Sequence, residues 1–255
     1  MQLARVAQAP RGVLGLLALG CALGSIACSA QRSGQAAPRY GQIDLTSPGS
    51  PSWPVLEPEP NAAPLTDADV ERIAQRVPRE RVPQPTAKNP SRGSDRAKVV
   101  LQVFSDFECP FCIRLAPTLE DLEARFHGRL RVVWRNYPLP KHERARPAAR
   151  LALCAFEHGG SPQFWKLHDL LYSAQGDVSD AGLRRAASKL GLDPACATET
   201  ADSRYDARID SDMKAGDAAG IEGTPATFIN DYYLMGARSE AEYAIVVERA
   251  LREAR

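Results

Sequence analysis

Two cysteines separated by two residues, Cys109 and Cys112, carry the clearest chemical potential in this 255-residue sequence. The motif Cys109-Pro110-Phe111-Cys112 follows an apolar run, Val99-Val100-Leu101-Gln102-Val103-Phe104, and precedes Leu115, Leu119, Leu122 and Phe126. Spacings of four, three and four put those last residues on one face of a helix. The thiol pair therefore falls at a strand-to-helix junction. There the unpaired N–H groups and positive dipole end of the helix stabilise a thiolate at position 109. Cys112, one turn on, is near enough to close a small disulfide ring. Pro110 suits the first helical position, which needs no N–H and whose φ the ring already supplies.

The same spacing serves zinc, but zinc takes four ligands, usually from a second C-x-x-C or a pair of spaced histidines. His127, His142, His158 and His168 are scattered, and the other cysteines stand singly. Ligand counting thus favours redox chemistry, with no metal and no cofactor expected. Asp106 and Glu108 add negative charge near Cys109, which opposes a thiolate.

The N-terminus bears on the compartment. Arg5 and Arg11 precede an uncharged Leu-, Ala- and Gly-rich run from Gly12 to about Ala30. That order is a secretory signal. Gly12, Gly15, Gly20, Gly24 and Ser25 dilute it below the strongly apolar stretch of roughly 20 residues a membrane span needs. Export would place the thiols where disulfides persist. Residues 1–28 are read as the signal, and Cys28, after small Ala27, as the expected lipidation site of a membrane-anchored periplasmic lipoprotein. Cleavage near Ala27 or Ala30, giving a soluble protein, is the competing outcome. Cys21 is read as an inert part of the signal.

Residues 29–90 hold 11 of the 20 prolines, with Ser, Gly, Gln and Ala between them. Such composition buries too little apolar surface to offset its ordering entropy, so the segment is expected to be a flexible tether. Thr66 to Ala74 reads as a transient capped helix within it. The folded domain is expected over 91–255, with strands at 98–105 and 130–136, helices at 110–126 and about 141–220, a hairpin turning at Asn230-Asp231, and a last helix capped by Ser239 and Glu242. With 32 basic and 31 acidic residues, no charge excess points to nucleic acid.

Ser105 to Cys112 resembles the active-site stretch of the DsbA-like thiol–disulfide oxidoreductases of the thioredoxin superfamily. Gly223-Thr224-Pro225-Ala226-Thr227-Phe228-Ile229 resembles the strand carrying that superfamily's cis-proline, and 145–220 resembles its helical insertion. The resemblance implies an α/β thioredoxin fold with an inserted helical subdomain. It implies Cys109 as the exposed nucleophile and Cys112 as the resolving sulfur. It further implies that Thr224 and Pro225 present backbone to an extended substrate. Phe111 stands where DsbA proteins carry a thiolate-stabilising His, and is expected to face solvent and contact substrate. The expected partners are reduced or misoxidised exported proteins and a membrane redox partner, the protein itself being a monomer. Reductase or isomerase chemistry, or a non-enzymatic metal-binding or chaperone role, are the alternatives.

Cys154 and Cys196 remain. Cys154 lies on the apolar face of Leu151 to Ala155, and Cys196 in the turn after Asp193-Pro194. Unpaired thiols are hazardous beside an oxidant in an exported protein, so a structural Cys154–Cys196 disulfide is expected.

Overall fold

The apolar run before Cys109 forms β3 (Val99–Ser105), buried along almost its whole length. Its parallel neighbour is β4 (Leu130–Asn136), reached through α2 (Pro110–Arg125). On its other side β3 pairs antiparallel with β5 (Ala226–Ile229), which pairs in turn with β6 (Tyr232–Met235) across Asn230-Asp231. Asn230 takes φ 50°, the left-handed conformation a two-residue hairpin turn requires. This is a computed structural model, and it describes residues 65–173, 176–193, 196 and 203–254. The signal segment, Cys21, Cys28, Pro194 and the chain before residue 65 lie outside the described residues.

Two short strands complete a six-stranded sheet. β1 (Gln75–Arg76) pairs with β6 and β2 (Ser91–Gly93) with β4, giving the order β1-β6-β5-β3-β4-β2. They correct the domain boundary expected at residue 91. Helix α1 (Asp67–Ile73) buries Val70 and Ile73 in the main core. Val77 N–H donates to the Asp231 carbonyl at 2.8 Å, and Trp134 N–H to the Pro90 carbonyl at 2.9 Å. Proline lacks a donor but keeps its carbonyl, so a Pro-rich strap can bind a sheet through acceptors. The segment from Leu65 to Pro90 is therefore part of the fold.

Alternation along β3 sends Leu101 and Val103 to one face, where α2, α3 (Ala145–Tyr172) and α6 (Glu240–Glu253) contribute to the main core. Phe104 goes to the other, against Tyr137, Ala226 and Phe228. There α5 (Ser203–Ala219) approaches so closely that a Cβ on Gly216 would lie 2.8 Å from the Tyr137 ring. The same face buries an ion pair, Arg135 Nε to Asp212 Oδ1 at 2.6 Å, with Asn89, Gln102 and Asn136 satisfying the remaining polar atoms. That network joins strap, sheet and insertion.

The insertion is helical as expected. α3 is broken at Gly160, where φ 63° and ψ −162° fit glycine alone, and resumes at Ser161-Pro162. α4 (Asp180–Lys189) is capped by the Ser179 side chain, and Gly191 at φ 62° ends the turn that follows it. The Cys154–Cys196 disulfide is formed, with Cα atoms 5.7 Å apart. His168 is fully buried among Phe107, Trp134, Phe164, Trp165 and Tyr172, its Nδ1 2.8 Å from Asp169. Burial holds its pKa down, in keeping with a packed histidine. Among the described residues no helix is long and apolar enough to cross a membrane.

Candidate active site

Cys109 is the N-cap of α2, with Pro110 at the first helical position. Its carbonyl accepts from Cys112 N–H at 3.0 Å and Ile113 N–H at 3.2 Å, the opening bonds of the helix. Both cysteines are free thiols. The Cys109 sulfur also lies 3.4 Å from the Thr224 carbonyl, and the Thr224–Pro225 peptide is cis. Fold topology thus brings residues 115 positions apart to one sulfur.

The Cys109 thiol is lowered from an ordinary 9.0 to about 6. A hydrogen bond from the Cys112 side chain contributes most. Burial works against it, and Thr224 with the backbone amides of Cys112 and Phe111 adds to the lowering. Cys112 moves the opposite way, well above 9.0, because burial dominates and the neighbouring Cys109 reinforces it. One sulfur is prepared as thiolate and the other as its proton donor.

Three expectations need correction. Cys109 is only 2% exposed, so the nucleophile is not on the open surface. The sulfur's own partners, Cys112 and Thr224, occupy its surroundings. Nor do the neighbouring carboxylates bear on the sulfur as expected. Asp106 Oδ2 takes His142 Nδ1 at 2.7 Å and Leu139 N–H at 2.8 Å, while Oδ1 takes Glu108 N–H at 2.7 Å. Glu108 Oε2 accepts from Arg144 N–H at 2.8 Å. These contacts tie the active-site loop to the segment entering the insertion. Phe111 is half-buried rather than free in solvent, with the Arg114 guanidinium 4.6 Å from its ring centroid.

Cys154 and Cys196 are bonded to each other. Their sulfurs lie 3.7 and 3.9 Å from His158 Nδ1, and the three ligand atoms fall within 4.8 Å of one another. Bonded to each other, those sulfurs are not thiolate ligands. The sequence reading overlooked Ser105, Tyr172 and the Asp106–His142 contact. Ser105 closes a strand whose other polar residue is Gln102, which was the available signal for the first, and the others depend on tertiary approach.

Residues 86–249 match the family described as Thioredoxin. A periplasmic thioredoxin-like protein from Salmonella enterica serovar Typhimurium is similar in structure, with TM-score 0.59 and 27% identity over 70% of this chain and 99% of that one. Pseudomonas aeruginosa DsbA2 gives TM-score 0.54 and 28% identity, covering 65% of this chain and 95% of that one. A Na(+)/H(+) antiporter NhaA 3 from Salinispora tropica is 36% identical over 166 residues, 64% of this chain and 24% of that protein. The chain spans about a quarter of the length of the curated relatives it matches first. With the dithiol at the start of α2 and the matched stretch covering most of the sheet and the insertion around it, the chain belongs to the thioredoxin family.

Proposed function

We propose that Cys109 and Cys112 exchange disulfides with exported proteins, Cys109 as the sulfur that meets substrate and Cys112 as the resolving one. The opposed shifts of the two thiols carry this reading: one is lowered to about 6, the other raised by burial. A substrate thiolate attacks the oxidised pair at Cys109, and Cys112 leaves as a thiolate. The substrate's second thiolate then attacks the mixed disulfide, releasing an oxidised substrate and the dithiol. Thr224 and Pro225, beside the reacting sulfur, are the proposed backbone platform for an extended substrate, and half-buried Phe111 a contact surface.

Export to the periplasm, a lipid anchor at Cys28 and a tether ahead of residue 65 complete the proposal, with a monomer working beside a membrane redox partner. The signal-like N-terminal sequence supports export, as does similarity to a periplasmic thioredoxin-like protein. Insulin reduction and equilibration with glutathione test the exchange. Cys109→Ser should abolish it, and Cys112→Ser should accumulate mixed disulfides. Full dithiol oxidase activity in Cys109→Ser would sink the assignment.

A further inference from the structure

The exchange described above gives no task to His158 or to the second cysteine pair. Cys154 and His158 stand four residues apart on α3, so both project from one face of that helix. Cys196 comes from beyond α4, in a turn where its N–H donates to the Asp193 carbonyl at 2.8 Å. His158 Nδ1 lies 3.7 Å from the Cys154 sulfur and 3.9 Å from the Cys196 sulfur. The two cysteines are 1% and 4% exposed, whereas His158 is open to solvent. Among the described residues this is the only group of three His, Cys, Asp or Glu side chains placed to hold one ion.

A bridge between two helical segments needs no imidazole beside it. In the disulfide form the His158 Nδ1 proton is donated to the Cys154 carbonyl, 2.9 Å away, and an exposed ring could equally bond water. The three ligand atoms have a second geometry to offer. Two ligands one helical turn apart, joined by a third from a separate segment, are a recurrent way to build a zinc site. Bonds of about 2.3 Å to sulfur and about 2.0–2.1 Å to nitrogen place those two atoms about 3.6 Å apart at a tetrahedral angle. The separations found are 3.7 and 3.9 Å, so two edges of the ligand triangle already have nearly the length an ion would set. Only the third edge differs. Bonded sulfurs are about 2 Å apart, and two thiolates on one such ion about 3.8 Å apart. Opening the bond lets each sulfur retreat by about 0.9 Å through side-chain rotation, between Cα atoms 5.7 Å apart.

We propose that Cys154, Cys196 and His158 bind a thiophilic divalent cation of the zinc type whenever the cysteine pair is in its thiol form. The exposed side of His158 is the way in, and the fourth position is left to water. Two thiolates and a neutral imidazole make an uncharged complex with a divalent ion, which suits sulfurs buried this deeply. His158 also sits in the last turn before the break at Gly160, where helix carbonyls without partners favour a cation. To ligate through Nδ1, the ring carries its proton on Nε2 instead.

The bridge and the ion are alternative ways of pinning α3 to the turn at Cys196. A thiol reductant supplies two electrons and two protons to the disulfide and leaves as its own disulfide. The cation then displaces the two protons and takes both thiolates, with no change in its own oxidation state. In reverse, an incoming disulfide takes two electrons and two protons and departs as two thiols. The Cys154–Cys196 bond forms and the cation is released. Metal occupancy therefore reports the redox state of the pair.

The test uses the full chain carrying Cys21→Ser, Cys28→Ser, Cys109→Ser and Cys112→Ser, so that Cys154 and Cys196 are its only cysteines. The protein is reduced with a phosphine and titrated with Co2+, whose thiolate bonds give a near-ultraviolet charge-transfer band. The band should saturate at one ion per chain, yield to Zn2+, and be absent from the oxidised protein. His158→Ala should weaken binding about a hundredfold or more, since losing even a group behind a ligand costs about 10–100-fold. Zn2+ should protect both thiols from alkylation in the reduced parent and much less in His158→Ala. Circular dichroism of each sample should show the helix content kept on reduction. A reduced chain with no thiolate–cobalt band overturns the proposal, as does loss of helix on reduction, which leaves no site to occupy. Equal affinity in His158→Ala overturns it as well. With Cys109 and Cys112 absent from this chain, none of these results bears on the exchange, which Cys109→Ser in the parent tests by itself.

Discussion

Because the Cys112 thiol is the leading cause of the lowered Cys109 pKa, removing it should return much of the shift. With a pKa of about 6, roughly nine-tenths of Cys109 is thiolate at pH 7, against about one-hundredth for a thiol at 9.0. That difference stabilises the reduced fold at pH 7 by about 1.4 kcal/mol, equal to about 30 mV of oxidising power in a two-electron couple. The stabilisation is complete above 9.0, where an unfolded chain would also ionise, and is lost as pH falls through about 6. A hydrogen bond to a charged group contributes about 1.5–3 kcal/mol, or roughly one to two pKa units. Cys112→Ala should therefore titrate at about 7–8, and Cys112→Ser, which keeps a donor, close to the parent. Ultraviolet thiolate absorbance against pH measures this directly, and the iodoacetamide alkylation rate checks it independently. A Cys112→Ala protein that still titrates at about 6 would refute the argument and leave the helix terminus and Thr224 as the real cause.

Phe111→His should lower the Cys109 pKa further and make the protein more oxidising, about 30 mV for each unit, read by equilibration with glutathione. An unchanged or more reducing potential rejects that electrostatic reasoning. The double variant Cys154→Ala/Cys196→Ala opens a link across 42 residues and should lose about 4 kcal/mol in urea unfolding, with insulin reduction retained. A loss of exchange at full stability would give the second disulfide a redox role instead. Ile73→Ala should cost about 2–3 kcal/mol because Ile73 is buried in the main core, whereas a tether residue would cost nothing measurable.

The central elements were legible because each has a strong local signature. β3 shows a largely apolar run, α2 a helical stripe behind Pro110, the hairpin an Asn-Asp turn, and α6 a capping box. The strap from 65 to 90 was not, and the reason is physical. Its strands are two and three residues long, too short to show a period, and its prolines suggest disorder when counted by composition. Its order comes from partners far along the chain, such as Asn89 to Asp212 across 123 residues and the Gln102 side chain to the Pro83 carbonyl at 2.5 Å. Composition reports what a segment can bury alone and is silent about a sheet face already waiting for it. The Cys154–Cys196 pairing was readable for a different reason, since it followed from counting thiols in an oxidising setting and not from local pattern.

The site itself divides in the same way. The dithiol could be read from four consecutive residues, but what shifts its two sulfurs could not. The sequence put Asp106 and Glu108 close to Cys109 and so counted them as opposing a thiolate. Folding turns both carboxylates toward donors 33 to 36 positions away or on their own loop, and their charge serves to fix the backbone before Cys109. It likewise put Phe111 where a histidine would donate, which suggested a poorly stabilised thiolate. In the folded protein the donor is Cys112 from within, supported by Thr224. A missing histidine therefore removes one contribution and leaves the others, so the dipeptide between the cysteines sets the potential only in concert with the Thr224 loop. Substitution of Cys112 and of Thr224 should be non-additive, because both act on the Cys109 sulfur.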